Sequence, residues 1–268
     1  MDQDTAAGIR VEREGPVTTV IIDRAGRRNA VDGPMADALR AAFEAFENDA
    51  DQQVAVLWGA GGTFCAGADL SALDDPGRAH RVSPDGSGPG PMGPTRLQLS
   101  KPVIAAVSGH AVAGGLELAL WCDLRVAETS AIFGVYCRRW GVPLIDGGTV
   151  RLPRVVGQGR ALDMILTGRG VGADEALAMG LASRVVADGQ ALTAAQSLAA
   201  DIAAFPPHCM RADRASAYAQ WDKPLAGALR QEGAQAADLL AREGRAGAAR
   251  FVAGAGRHGR FDPADSQS

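Results

Sequence analysis

Val54-Ala55-Val56-Leu57-Trp58 and Val103-Ile104-Ala105-Ala106-Val107 are continuous apolar runs, and glycine follows both: Gly59-Ala60-Gly61-Gly62 after the first, Gly109 after the second. A strand with one wet face alternates apolar with polar residues, whereas a strand apolar at every position is covered on both faces. Residues 124–127 read as a third strand. Helical stretches separate these runs, which predicts a mostly parallel sheet covered by helices, an α/β fold.

Working outward, residues 9–13 and 17–22 are β-branched-rich runs separated by Glu14-Gly15-Pro16, the pattern of a hairpin. Asp32 or Gly33 can cap a helix with Pro34 in its first turn. Met35, Leu39, Phe43 and Phe46 then recur at helical spacing and give it one buried stripe. Residues 83–95 are rich in Gly and Pro and read as an irregular, mobile loop. From Gly159 onward the pattern is helical apart from a strand at residues 183–187, so the last third reads as a helical appendage.

The 268 residues are 47% hydrophobic and 22% charged, which excludes a disordered chain. The net charge of −4, with lysine only at Lys101 and Lys223, argues against a sequence-independent grip on nucleic acid. No segment reaches the ~18 uncharged apolar residues of a membrane helix, and the N-terminus lacks a signal-peptide pattern. Cys65, Cys122, Cys137 and Cys209 are too widely spaced for a disulfide framework or a zinc cage. A soluble, cytoplasmic protein is the expectation, with no membrane and no nucleic-acid partner.

Both glycine-rich turns test as known phosphate loops and fail. In the stretch 58–69 Phe64 takes the third glycine position of a dinucleotide fingerprint. In Gly109-His110-Ala111-Val112-Ala113-Gly114-Gly115-Leu116-Glu117, Gly115 and Leu116 replace the Lys and Ser/Thr of a P-loop. A glycine pair opening a helix still exposes free N–H groups at the positive end of the helix dipole. Two such turns at neighbouring strand ends can aim two N–H donors at one oxygen, an oxyanion hole for an enolate or tetrahedral anion. Either turn alone reads first as a tight-packing device.

Taken together, Ala66-Gly67-Ala68-Asp69-Leu70, Lys101-Pro102-Val103-Ile104-Ala105-Ala106-Val107-Ser108-Gly109 and Ala113-Gly114-Gly115-Leu116-Glu117-Leu118-Ala119 resemble the signature of the crotonase (enoyl-CoA hydratase/isomerase) superfamily. The resemblance runs from about Val17 to Phe251 and takes in Arg28-Asn29-Ala30 and Gly147-Gly148-Thr149-Val150-Arg151-Leu152. It implies a crotonase-like ββα spiral over residues 1–204. A helical C-terminal trimerisation region follows at 205–268, giving a homotrimer or a dimer of trimers.

The resemblance further implies that the Ala68 and Gly114 N–H groups form the oxyanion hole. The segment Ala66, Ala68, Asp69, Leu70 and Ser71 would line coenzyme A, with Arg28 and Ala30 nearby. Phe251, Arg257 and Phe261 fall where family members reach a neighbour's CoA. CoA is part of the substrate, so no separate cofactor, metal or nicotinamide is implied.

Among side chains, Glu117 reads as a helix-capping carboxylate or a catalytic one, and the resemblance makes it the first catalytic glutamate. Cys137, in Phe133-Gly134-Val135-Tyr136-Cys137, stands where hydratases carry the second glutamate. It reads first as a buried small hydrophobe. Asp146 on the following loop is the best substitute acid or base. His110 reads as core ahead of pocket wall, and Arg138, Arg139 and Trp140 as a structural ion pair.

The leading expectation is hydration of a 2-enoyl-CoA, a lyase reaction. Isomerase or other crotonase chemistry with a single glutamate is the alternative, and a catalytically weak CoA-binding scaffold the next. An RNA-binding relative is disfavoured by the scarcity of lysine.

Overall fold

The computed structural model describes residues 4–256, with side chains from residue 7. Its strands are β1 (Asp4–Ala6), β2 (Ile9–Glu14), β3 (Val17–Ile22), β4 (Val54–Gly59), β5 (Val103–Val107), β6 (His110–Val112), β7 (Leu124–Glu128), β8 (Ile132–Gly134), β9 (Gly170–Gly172) and β10 (Arg184–Val186). Seven form one sheet in the order β1-β2-β3-β4-β5-β7-β10. The pairs β1–β2 and β2–β3 are antiparallel, joined in the second case by the Gly15-Pro16 turn, and all pairs from β3 onward are parallel.

The uniform apolarity of β4 and β5 is explained by what covers each face. Ala55, Leu57, Val103, Ala105 and Val107 belong to the larger core cluster. There they meet Met35, Leu39, Phe43 and Phe46 of helix α1 (Gly33–Asn48), capped by the Asp32 carboxylate on Met35 N–H. The alternate residues Val54, Val56, Ile104 and Ala106 meet Ala191, Ala195, Leu198 and Ala199 on the opposite face. A fully buried aliphatic or aromatic side chain contributes about 1.5–3 kcal/mol, so both layers are needed.

Helices α2 (Gly114–Trp121), α3 (Gly148–Val156), α4 (Gln158–Thr167) and α5 (Ala173–Ala178) follow the central strands. The Ala191–Leu198–Ala199 layer is α6 (Ala191–Ala203). This corrects the expectation that everything late in the chain is an appendage: α6 is the second layer of the sheet. The appended part comprises α7 (Pro207–Ala219), α8 (Leu225–Leu239) and α9 (Arg245–Ala253), the last two joined through a π-helical turn at Leu240–Gly244. None of these three helices buries a residue.

A second, three-stranded sheet, β6-β8-β9, was not foreseen. Its strands have three residues each, too short to carry a periodic pattern. It lies directly after β5 and aligns His110–Val112 with the turn that follows β4. No described helix is long and apolar enough to cross a membrane.

Candidate active site

After β4 the chain turns back alongside β6. Phe64 N–H donates to Ser108 O at 2.7 Å, Cys65 N–H to His110 O at 2.9 Å, and Val112 N–H to Cys65 O at 3.1 Å. Two residues later the chain crosses to Val31, which donates to Gly67 O (2.9 Å) and accepts from Asp69 N–H (2.7 Å). In an extended segment successive N–H groups point to opposite sides. The Ala68 N–H therefore faces away from Val31, and it has no acceptor among the described residues.

The second turn meets the first at contact distance. A Cβ on Gly115 would stand 2.1 Å from Cys65 O, and one on Gly67 would stand 3.0 Å from Gly114 N and 2.8 Å from Ala113 Cβ. Glycine at both positions lets the backbones touch. Ala113 precedes α2 at φ 54°, ψ −125° with no side-chain cap, so the Gly114 N–H at the helix's positive end is also without an acceptor among the described residues. All eight residues of α2 are buried.

One turn along α2, Glu117 is buried, and its Oε1 accepts from Asp146 N–H and Gly148 N–H, both at 2.8 Å. Oε2 has no hydrogen-bond partner among the described residues. Burial, reinforced by the Asp146 charge, lifts this carboxyl to about 7 against the pull of the two amides and Arg151. Glu117 thus has one oxygen fixed and one free, at a proton affinity suited to both giving and taking a proton near neutrality.

Asp146 faces a different way. Its Oδ1 accepts from Met92 N–H at 2.9 Å and from the Thr95 hydroxyl. Arg151 caps the same corner, donating to Asp146 O (2.9 Å) and Thr95 O (2.7 Å). Burial raises the Asp146 carboxyl above its ordinary range despite these donors. Cys137 lies buried in a 3₁₀ turn. Burial and the Glu117 charge both push its thiol up, which keeps it protonated.

The segment expected to line CoA starts half-buried at Ala66, whose N–H donates to Arg28 O at 3.1 Å, and ends exposed at Leu70 and Ser71. Arg28 is exposed in the left-handed region at φ 51°, and Ala30 is half-buried. The Asp69 side chain turns inward. Its Oδ2 meets Arg24 at 3.0 Å and Arg78 at 2.8 Å, and both arginines also reach Asp32, at 3.3 and 3.2 Å. Against burial, the Ser71 hydroxyl and amide and the two arginines hold this carboxyl below its usual range. Among the described residues no cluster of three His, Cys, Asp or Glu could hold a metal. Phe251 is exposed on α9; Arg257 and Phe261 lie outside the described residues.

The sequence profile of the enoyl-CoA hydratase/isomerase family matches residues 12–253. The chain belongs to that family. It is 42% identical to an enoyl-CoA hydratase of Mycobacterium tuberculosis over 211 residues, 75% of this chain and 77% of the relative. It is 38% identical to the carnitinyl-CoA dehydratase of Salmonella arizonae over 203 residues, 74% of this chain and 76% of that one. The crystal structure of an enoyl-CoA hydratase from Mycobacterium tuberculosis H37Rv superposes with a TM-score of 0.85 at 32% identity, covering 96% of this chain and 99% of that chain. The crotonase fold expected from the motifs is the fold observed.

Within this hydratase/isomerase, two side-chain readings need correction. His110 is exposed at the head of β6 rather than in the core, its ring 6.5 Å from that of Tyr136. Arg138 and Arg139 have no carboxylate partner among the described residues. They donate to Ile165 O (3.1 Å) and Gly168 O (2.9 Å) at the C-terminal end of α4, where cations are favoured. The sequence leaves unassigned the roles of Arg24 and Arg78, which pair with both Asp69 and Asp32, and of Asn29, named there only within the Arg28-Asn29-Ala30 motif. Asn29 Nδ2 staples Ala60 O and Thr63 O at 2.8 and 2.6 Å. A left-handed Arg28-Asn29 pair between a strand and a helix cap was the available signal.

Away from the two turns, a cavity of about 1230 Å³ lies between the core and α7, with Leu97, Trp121, Asp123, Arg151, Arg214 and Tyr218 in its walls. Ala68, Gly114 and Glu117 do not line it. The site chemistry is therefore read from the turns, not from this void.

Proposed function

We propose that this chain adds water across the double bond of a 2-enoyl-CoA thioester, with Ala68 and Gly114 as oxyanion donors and Glu117 as the single acid–base residue. The observation that carries the reading is the half-clamped Glu117. Its Oε1 is held by two amides and its Oε2 is free, one turn from an unoccupied N–H donor.

The thioester oxygen accepts from the Ala68 and Gly114 N–H groups. Glu117 Oε2 takes a proton from water as the hydroxyl adds to the β carbon, and the electron pair of the double bond moves onto the thioester oxygen as an enolate. The same proton then passes from Glu117 to the α carbon as the enolate collapses, so the product carries both halves of one water. An oxyanion donor is worth about 10²–10³-fold and a placed acid–base group about 10²–10⁴-fold. CoA is the carrier half of the substrate and packs along Ala66, Leu70, Ser71, Arg28 and Ala30. Asp146 acts as a positioning residue, through its amide on Glu117 and its carboxylate on the 92–95 segment.

A second reading, movement of the double bond from the 3 to the 2 position, is favoured by one feature: Cys137, a protonated thiol, stands where a second carboxylate would assist water. Assays of crotonyl-CoA hydration and of 3-enoyl-CoA isomerisation, with mass spectrometry of products, test both. Hydration without isomerisation supports the first reading, and isomerisation alone overturns it.

The division into a core of residues 1–204 and an assembly region from 205, the homotrimer or dimer of trimers, and a cytoplasmic location belong to the same proposal. Support for assembly comes from α7–α9, which bury nothing while exposing Tyr218, Leu225, Leu229, Leu240 and Phe251.

A further inference from the structure

The irregular stretch 83–95 contains one rigid point. Gly93 N–H donates to Gly90 O at 2.8 Å, closing a turn with Pro91 and Met92 at its centre. The Pro91–Met92 peptide is gripped at both poles: His80 Nδ1 lies 2.7 Å from Pro91 O, and Asp146 Oδ1 accepts from Met92 N–H at 2.9 Å. The other ring nitrogen, His80 Nε2, lies 2.9 Å from Val31 O, the same carbonyl that accepts from Asp69 N–H beside the first oxyanion turn. One imidazole therefore faces both the Pro91 carbonyl of the loop and the Val31 carbonyl. A neutral ring has one N–H and serves one of these carbonyls; the imidazolium serves both.

What this grip positions is the Met92 side chain. It is 1% exposed, and its Sδ, Cγ and Cε stand 2.7, 2.9 and 3.1 Å from where a Cβ on Gly114 would be. Met92 thus packs directly on the second oxyanion residue. A thioester oxygen held on the Gly114 N–H would place the acyl group next to the residue on which Met92 packs.

We propose that Met92 sets the acyl length this site accepts, closing it to all but short, crotonyl-like chains, and that His80 and Asp146 are positioning residues that hold Met92 there. The inference rests on the acyl-CoA reading above and adds the substrate class to it. A mispacked or displaced methylene in an apolar pocket is worth about 10–200-fold in discrimination, so removing the thioether arm has a readable effect.

The test is calorimetric titration of the full-length wild type, Met92→Ala and His80→Ala with butyryl-CoA and octanoyl-CoA, beside turnover of the matching 2-enoyl thioesters. The wild type is expected to favour the short chain. Met92→Ala should shift the octanoyl-to-butyryl affinity ratio toward octanoyl by about tenfold or more. His80→Ala should shift it the same way, through KM, with kcat for the short substrate within a few-fold. Should Met92→Ala fail to fold by circular dichroism, Met92→Leu carries the test with a smaller shift in the same direction. A ratio unchanged in the Met92 variant, or a wild type that already prefers octanoyl-CoA, overturns the proposal. A His80 variant with the wild-type ratio overturns the positioning half. A wild type that binds neither thioester brings down the acyl-CoA reading itself, an outcome distinct from binding with an unchanged ratio.

Discussion

The backbone N–H of Asp146 donates to Glu117 Oε1 at 2.8 Å, while the Asp146 carboxylate binds Met92 N–H and the Thr95 hydroxyl instead. One residue thereby holds the Glu117 carboxylate with its main chain and the 92–95 segment with its side chain. Asp146→Asn keeps an oxygen for both donors, so hydration of crotonyl-CoA should stay within about threefold of wild type. Asp146→Ala should lower it by about tenfold or more, since it strands two buried donors at about 1–3 kcal/mol each. Loss of the Asp146 charge also lowers the Glu117 carboxyl, so the acid limb of the kcat/KM profile should move to lower pH in Asp146→Asn.

Glu117→Gln should reduce kcat by about 10²–10⁴-fold, measured by loss of the ultraviolet absorbance of the conjugated thioester. In the wild type, kcat/KM should rise with pH to a plateau above about 7, as Glu117 ionises to take the water proton.

The same carboxyl has an opposite effect on stability. Its folded value of about 7 exceeds the ordinary 4.5 of a glutamate, so between those values the folded chain holds a proton that the unfolded chain releases. Stability is present below the lower value and declines as pH rises through the higher one, by about 3 kcal/mol at most. Glu117→Gln should therefore raise Tm at pH 8 and change it little at pH 4, by differential scanning calorimetry.

Ala113 occupies φ 54°, ψ −125°, a region glycine enters freely and an alanine enters with strain. Ala113→Gly should stabilise the chain by about 1 kcal/mol in urea unfolding without loss of turnover, and Ala113→Val should destabilise it. Stabilisation by both would contradict the strain assignment.

Asp69 and Asp32 share Arg24 and Arg78. Either arginine alone leaves both carboxylates paired, so Arg24→Ala and Arg78→Ala should each lower stability only slightly. The double variant, leaving two buried carboxylates without cations, should cost well over the sum. Chemical denaturation of the four proteins measures the coupling.

Light scattering at micromolar concentration should give a trimer or hexamer. Replacing Leu229 and Leu240 with serine should shift the mass toward monomer, while strict monomer in the wild type would contradict the assembly role of α8 and its extension.

Much of this molecule is readable from its residues, and the limits of the reading are physical. β4, β5 and α1 carry their burial in their own pattern, because a strand covered on both sides and a helix with one buried stripe leave local signatures. The two glycine turns are legible for the same reason: close backbone approach demands glycine at 67 and 115. His80 and Met92 were not legible, because their bonds join residues 11 and 54 apart inside a Gly/Pro-rich stretch. Arg138 and Arg139 were misread because their partners are carbonyl oxygens, which every residue carries and no sequence marks. The helical pattern alone reads α6 as appended, because an alanine-rich helix looks alike whether it covers a sheet or a neighbour, whereas the resemblance over residues 1–204 includes it in the core.

The oxyanion donors proposed at Ala68 and Gly114 belong to the main chain, so mutation reaches them differently from a side chain. A side chain can be lost by a single codon change, but every residue except proline brings the same N–H with it. Ala68→Pro and Gly114→Pro are the only single replacements that delete a donor outright; all others must act by displacing it. The half of the proposed site that would steady negative charge is thus encoded by the path of the backbone, and a side chain added at Gly114 would disturb it by pressing on Met92. The proposed proton-handling half depends on a single letter, Glu117.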